Sequence, residues 1–343
     1  MQKFKSNQSP TLFDEEEKLS RITKLGDPLV RLNESIDWRM FASILSDALK
    51  KEAKGPGGRP GYEYVLMFKI LILQEYYGLS DEQMEFQITD RFSFMRFLGL
   101  RSCDKVPDHN TIWNFREQLK ANGTVGVLFD CFGKALEQAG LIVNKGKIVD
   151  ASVVEAPRQR NSREQNQQIK GGGTPSEWSR KQSAHKDVDA RWTKKGSATF
   201  YGYKNHIKID SGSKLIEGYC VSSASVHDGV SGADLVDAKD KGQDMHGDSA
   251  FTIHAFKQAL EQAGMNDKIH EKGHKHQCLS QAQLRRNHQK SKIRARIEHV
   301  FGFMHQKRGN IFIYTIGLLR AQVKIGLMNL AYNMSRYALL TRR

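Results

Sequence analysis

The stretch Lys147-Ile148-Val149-Asp150-Ala151-Ser152-Val153-Val154 decides the fold. Its β-branched, mostly apolar run reads as a buried strand. A single carboxylate, Asp150, interrupts it. Placing a charge in an apolar strand is costly unless the group is paired or coordinates a metal. An edge position facing water is the alternative, and on this stretch alone both stay open.

Outward from that strand the pattern divides near Gly140. Residues 1–36 read as a polar, loosely held leader with an acidic run at Asp14–Glu17. Residues 37–140 read as helical. Asp37 caps a pattern carrying Trp38, Phe41, Leu45 and Leu49 at helical spacing. Gly55–Gly61 is a loop by composition. Tyr62–Tyr77 is apolar nearly all round, a buried helix stopped by Gly78. Ser80 with Gln83 fits a capping box, and Asp108 or Thr111 could open a helix carrying Ile112, Phe115, Arg116 and Leu119. A further helix runs from about Val125 to Ala139. Several short helices with basic exposed positions fit a helix-turn-helix-like module, and equally a plain packing or dimerisation domain.

Residues 141–343 are mixed. The spacing predicts a hairpin of Phe200–Asp210 and Lys214–Val226 around Ser211-Gly212-Ser213. Residues 157–198 are a polar insertion or long loop. A weakly signalled strand precedes Asp248, and helices follow at about His254–Ala263, Ser291–Lys307 and Leu318–Leu340.

The 343 residues carry 53 Lys+Arg and 38 Asp+Glu, a net charge of +15. From Lys268 to Arg343 there are 16 Lys+Arg against two acids, Glu271 and Glu298. A basic surface this concentrated favours a polyanion such as DNA or RNA, although a solvated basic face is the plainer reading. No apolar run is long enough to span a membrane. The four cysteines lie far apart, and the polar N-terminus carries no signal-like segment, so a reducing cytosol is the simple inference.

Asp248 lies at a strand-to-turn transition, where a carboxylate can project. Ile293, Ile297, Val300, Phe301 and Met304 form an apolar stripe, and Arg294, Glu298 and His305 share an adjacent face. Alone, Glu298 reads as a helical ion pair with Arg294. Together, Asp150, Asp248 and Glu298 could hold two Mg²⁺ ions, which need hard oxygen ligands and favour phosphate partners. Such a pair of ions, roughly 3.5–4 Å apart, stabilises both oxygens of a phosphodiester displacement.

The chain resembles bacterial insertion-sequence transposases of the DDE type, in the insertion-sequence-five family. The likeness covers nearly the whole chain. It rests on Gly26-Asp27-Pro28-Leu29 with Ile36-Asp37-Trp38, Gly58-Arg59-Pro60, and Pro107-Asp108-His109-Asn110-Thr111. It continues through Val149-Asp150-Ala151-Ser152, Glu155-Ala156-Pro157 and Asp189-Ala190-Arg191-Trp192. Tyr201-Gly202-Tyr203-Lys204-Asn205-His206, Gly247-Asp248-Ser249-Ala250-Phe251 and Arg294-Ala295-Arg296-Ile297-Glu298-His299 complete it.

The resemblance implies an α/β, ribonuclease H-like catalytic domain (a mixed sheet with flanking helices) over 141–343. It also implies an all-α N-terminal domain over 37–140 that binds the element's terminal inverted repeats. Asp150, Asp248 and Glu298 would be the metal triad, separated by 98 and 50 residues. The cofactor would be two Mg²⁺ ions, with Mn²⁺ as the substitute. Water would cleave at the element ends, and the freed 3′ hydroxyl would attack target DNA. The partners would be double-stranded DNA, as terminal repeats and as target, and further copies of the chain in a homodimer or larger synaptic assembly. The location would be the cytoplasm, on the nucleoid. Rivals are a nuclease of the same fold without strand transfer and a non-catalytic, element-derived repressor.

One departure stands out. The family signature around the glutamate is Tyr-x2-Arg-x3-Glu-x6-Lys. Here Arg294 and Glu298 match, Ser291 replaces the tyrosine and His305 the lysine, with Lys307 two residues on. Candidate DNA contacts are Arg294, Arg296, His305, Lys307, Arg308, Tyr203, Lys204 and His206. Tyr201, Tyr203 and His206 could stack on a frayed terminal base or merely pack across the hairpin. His270, His274, His276 and Cys278 match no common zinc spacing and read as a phosphate-facing basic loop. Trp178 and Trp192 are DNA wedges or small local cores.

Overall fold

The computed structural model describes residues 13–50, 61–273, 278–309 and 311–342. Residues 1–12, the loop expected from Gly55 through Pro60, and His274 and His276 lie outside them, as does the side chain of Arg308.

The N-terminal helices follow the expected caps. They are α1 (Asp14–Lys24), α2 (Pro28–Ser35), α3 (Ala42–Leu49), α4 (Tyr64–Tyr77), α5 (Asp81–Asp90), α6 (Phe92–Leu98), α7 (His109–Ala121) and α8 (Thr124–Gln138). Helix α4 is buried along its length and stops at Gly78, whose φ of 66° is the left-handed conformation that glycine adopts without strain. Ser80 and Gln83 close a reciprocal capping box on α5. Asp108 accepts from the Thr111 amide at 2.7 Å to open α7.

The second half contains β1 (Lys147–Glu155), α9 (Arg163–Lys170), α10 (Arg180–Ala184), β2 (Arg191–Lys195), β3 (Ala198–Asp210) and β4 (Ile216–Ser223). Then come α11 (Asp228–Ala233), β5 (Asp244–Gly247), α12 (His254–Ala263), β6 (Asn266–Ile269), α13 (Gln281–Arg294), α14 (Glu298–Arg308) and α15 (Leu318–Leu340). Strand β1 is central. It runs antiparallel to β3, which pairs antiparallel with β2 and β4, and parallel to β5, which runs parallel to β6. This mixed sheet with flanking helices is the expected ribonuclease H-like arrangement.

The sheet separates two cores, because successive residues of β1 face opposite ways. Ile148 and Val154 join Ile207 and Ile209 in the larger core. Val149 points to the other side with Met245, Phe251, Phe256, Leu260 and Ile269. Helix α15 is buried on nearly all sides and packs on β4 as well as on α4, α7 and α8. Its Asn329 exchanges amide hydrogen bonds with Asn205 of β3, and its Asn333 binds both backbone groups of Ile216.

Three expectations need correction. The segment before residue 37 is not loose over its described part. Leu29, Leu32 and Ile36 are fully buried in the larger core, and Asp27 caps α2. The insertion 157–198 is not a bare loop, since α9 and α10 fold within it and β2 joins the sheet. The pattern Ser291–Lys307 is not one helix. A 3-10 turn at Ala295–Ile297 separates α13 from α14, and Ile293 is exposed rather than part of the buried stripe. The larger core also runs from Leu29 to Ala338 without a break at residue 140. Among the described residues no helix is long and apolar enough to cross a membrane.

Candidate active site

Strand register brings the first two carboxylates together. Lys147 pairs with Met245 and Ile148 with His246 across the parallel β1–β5 ladder. Carrying that register two residues further sets Asp150 beside Asp248, just beyond the end of β5. Gly247 makes the approach possible. A Cβ there would lie 2.8 Å from the Ile269 Cδ1 and 3.2 Å from both Val149 and Phe251. Asp248 itself is held by its Oδ1, which accepts from the Ala250 amide at 2.8 Å.

Asp150 is poorly solvated, with 17% of its side chain exposed. Burial pushes its carboxyl up to about 6, and Asp248 adds to that rise. The Ala151 amide and the Arg294 guanidinium oppose it. Arg294 donates to Asp150 Oδ2 at 2.8 Å and to Glu298 Oε1 at 3.1 Å, so one guanidinium bridges two members of the expected triad. Its buried Nε finds no partner. Glu298, 62% exposed, opens α14 just after the 3-10 turn. The turn thus leaves the Arg294–Glu298 pair intact.

Basic groups surround the pair. Lys290 donates to the Ile269 carbonyl at 2.7 Å. His270 stands 3.3 Å from the Ser291 hydroxyl. Burial, Arg294 and Lys290 hold the His270 imidazole below its usual range. Among the described residues no three His, Cys, Asp or Glu side chains stand together closely enough to hold a metal ion. This applies to the acidic triad as well as to His270 with the exposed Cys278.

The other expected contacts divide. His305 and Lys307 are exposed on α14, and Lys307 lies 4.8 Å from the Tyr76 ring centroid. Arg296 donates to the Ser211 carbonyl at 2.8 Å. Tyr203 and His206, expected at DNA, are fully buried in β3 instead. Tyr203 donates to Asp187 at 2.6 Å, and His206 sits 2.8 Å from the Ser222 hydroxyl. Both faces of the hairpin are covered, so neither ring can stack on a base in this conformation. Lys204 is engaged with Asp228 at 2.8 Å and the Val226 carbonyl. Trp178 is buried, whereas Trp192 is half exposed against Tyr201 and Arg158.

Asp187 was not singled out by the sequence. Its carboxylate accepts from Tyr203, from the Asp189 and Ala190 amides and from Gly317, tying the insertion to the start of α15. Its only sequence signal is an acid two residues before Asp189.

Residues 144–334 match the model of the transposase DDE domain, and residues 17–118 match a transposase domain model, DUF772. The chain belongs to the DDE transposases. The two matches together make it an insertion-sequence transposase, an enzyme that cuts DNA and transfers strands. DDE enzymes use divalent metal ions, and the acidic residues on β1 and after β5 lie inside the matched domain. Among solved structures, the chain is similar to a piggyBac transposase synaptic complex with hairpin DNA. That alignment has 12% identity, covers 92% of this chain and 76% of the other, and has a TM-score of 0.43. A Mos1 transposase paired-end complex with the left transposon end aligns at 9% identity, 89% and 90% coverage, and a TM-score of 0.19. The assignment rests on the family matches alone.

Proposed function

We propose that the protein is a transposase of the insertion-sequence-five family whose reacting centre is Asp150, Asp248 and Glu298. The observation that carries this reading is the placement of Asp150. It is a carboxylate inside the central strand, desolvated and pressed by a second carboxylate, with the Ala151 amide and the Arg294 guanidinium as the main compensation. Such a donor set suits a hard divalent cation, which takes carboxylate oxygens and offsets their repulsion. Asp150 and Asp248 would hold magnesium, or manganese in its place, and Glu298 would join them once Arg294 releases it. Bound there, the metal supplies Lewis-acid stabilisation of the attacking and leaving oxygens of a phosphodiester.

The chain's own groups do the rest. Arg294 opposes the burial-driven rise of the Asp150 carboxyl and holds Glu298 toward the strand. Lys290 makes that side of the site positive, which favours a phosphate backbone. Arg296 in the 3-10 turn and Lys307 on α14 extend the basic surface, with His305 exposed on the same helix. Residues 37–140 would bind the terminal inverted repeats, with 141–343 as the catalytic domain. Two element ends must be paired, so the working form would be a homodimer or larger assembly on double-stranded DNA, in the cytoplasm at the nucleoid.

The test is Asp248→Asn. The Asn Oδ1 can still accept from the Ala250 amide, so the local turn survives while the charge is lost. Metal assistance is worth several kcal/mol, and each ~1.4 kcal/mol is tenfold in rate. End cleavage of a labelled duplex in Mg²⁺ should therefore fall by roughly 10²-fold or more. Binding of that duplex in Ca²⁺ should persist. Cleavage at the wild-type rate would remove Asp248 from the site and make Asp244, at the start of β5, the next candidate.

A further inference from the structure

A second charged constellation lies beside the reacting centre, at the β3–β4 turn. Three successive anchors converge there. Arg296 donates to the Ser211 carbonyl at 2.8 Å, and Arg336 of α15 donates to the Ser213 carbonyl at 2.9 Å. Tyr332, also on α15, donates to the Lys214 carbonyl at 2.9 Å. Lys214 is held at φ 64°, a left-handed conformation uncommon outside glycine, asparagine and aspartate. The three cations are close enough to act on one another. Burial, then Arg336 and Arg296, hold the Lys214 ammonium below its usual range. No carboxylate among the described residues bridges any of them.

Like charges gathered on one turn repel, so something else must make the arrangement useful. Each guanidinium offers five N–H donors, and the turn engages one nitrogen of each. The remaining donors are free for planar, charge-assisted bonds to phosphate oxygens. The surroundings supply the track. A groove of about 1250 Å³ runs between α2, α14 and α15, with Lys214, Arg336 and Glu298 on its wall. Arg31 and Lys307 continue its positive lining. Its acids are Asp27, bridged to Arg96 at 2.6 Å, Glu298, bridged to Arg294 at 3.1 Å, and Glu34.

We propose that Lys214, Arg296 and Arg336 form a phosphate clamp that holds the backbone of duplex DNA as the groove leads it past Glu298. This rests on the transposase reading and adds a binding site for the strand that reacts. The clamp recognises phosphate rather than bases, so it contributes affinity without sequence preference.

The double variant Lys214→Asn, Arg336→Gln tests it. Asn tolerates the left-handed conformation, and Gln retains a donor for the Ser213 carbonyl. Binding of an end duplex and of an unrelated duplex would be measured by anisotropy in Ca²⁺ from 50 to 200 mM salt. Each lost phosphate contact lowers the slope of log K against log salt by about 0.9. Two lost contacts should lower it by about 1.8, so the wild type loses about tenfold more affinity than the variant over that fourfold salt range. Both duplexes should be affected alike. The melting temperature of the free variant should be unchanged or higher, because repulsion has been removed. An unchanged slope in a variant that melts normally would overturn the clamp and leave the transposase reading standing. Loss restricted to the end duplex would overturn it too, because that result indicates base readout. A wild type that binds neither duplex in a salt-dependent way would sink both readings. If the double variant melts early, Arg336→Gln alone decides, with an expected slope change of about 0.9.

Discussion

Lys147→Met should destabilise the protein by about 3–5 kcal/mol, and the loss should shrink in acid. Lys147 opens β1 three residues before Asp150 and is wholly buried. Its ammonium lies 2.7 Å from Glu217, 3.4 Å from Asp240 and 4.0 Å from Asp210, and it donates to Asn144 at 2.8 Å. Lys208 bridges Asp240 at 2.6 Å, so two cations serve three buried carboxylates. Removing one cation leaves a single lysine against three acids. Breaking a buried pair in this way costs about 3–5 kcal/mol, a large part of the ~5–15 kcal/mol that typically holds a domain together. The pH dependence follows from Glu217. Burial already raises its folded-state value, and Lys147 is the leading opposing influence. Without Lys147 that value rises further. The folded state then binds more protons than the unfolded one, so stability falls as pH rises through the window above the ordinary Glu range. Urea unfolding followed by circular dichroism should therefore show a larger deficit at pH 8 than at pH 5. Adding Glu217→Leu to the variant should recover part of the loss, since it removes one stranded acid. A deficit below about 1 kcal/mol, or one that grows on acidification, would refute the reasoning.

Tyr203→Phe should cost about 1–3 kcal/mol, because it strips a buried donor from Asp187; its duplex affinity should match wild type, and a specific loss of DNA binding would restore Tyr203 as a contact. Gly202→Ala should lower the melting temperature severely or prevent folding. Gly202 has φ 150°, and an added Cβ would collide with the Val154 carbonyl oxygen and lie 2.9 Å from the Ala156 amide. A Gly202→Ala protein that melts like wild type would show that β1 can shift freely there, contrary to the packing around Asp150.

The elements most legible in the sequence are those whose signal is local. Strand β1 announces itself by β-branched residues, and α4, α5 and α7 by apolar runs and caps that the structure reproduces. What stays hidden depends on partners far away in the chain. Strand β5 is short and mostly polar, and its burial comes from β1 and β6 on either side. Alternation in β3 marks a hairpin but does not reveal that both faces are covered, so Tyr203 and His206 read as reachable when they are not. Leu29, Leu32 and Ile36 do carry a helical spacing, although the acidic run before them suggests a solvated leader. The fate of α15 is least legible. Its sequence marks a buried helix, whereas its packing on both β4 and the N-terminal helices appears only in the folded chain. Cutting the chain after residue 140 would strip α15 of one of its covers, so end recognition is better probed by point substitutions than by truncation.

The candidate site shows the same division. Each carboxylate has a local reason for its position, namely a strand interior, a turn after a strand and the first residue of a helix. Their relation to one another is set by the β1–β5 register and by Arg294, which no spacing rule orders. The i, i+4 spacing makes Arg294 a partner for Glu298. It is the parallel strand pairing and the 3-10 turn that also place its other nitrogen on Asp150. One guanidinium therefore compensates a buried acid and an exposed one at once. Since Asp150 bears the larger desolvation and Glu298 is mostly exposed, the bridge to Glu298 is the weaker of the two and the first to yield. Asp150 and Asp248 would be the residues to hold a divalent cation, and Arg294, shared between Asp150 and Glu298, would set how Glu298 lies on the groove wall that carries Lys214 and Arg336.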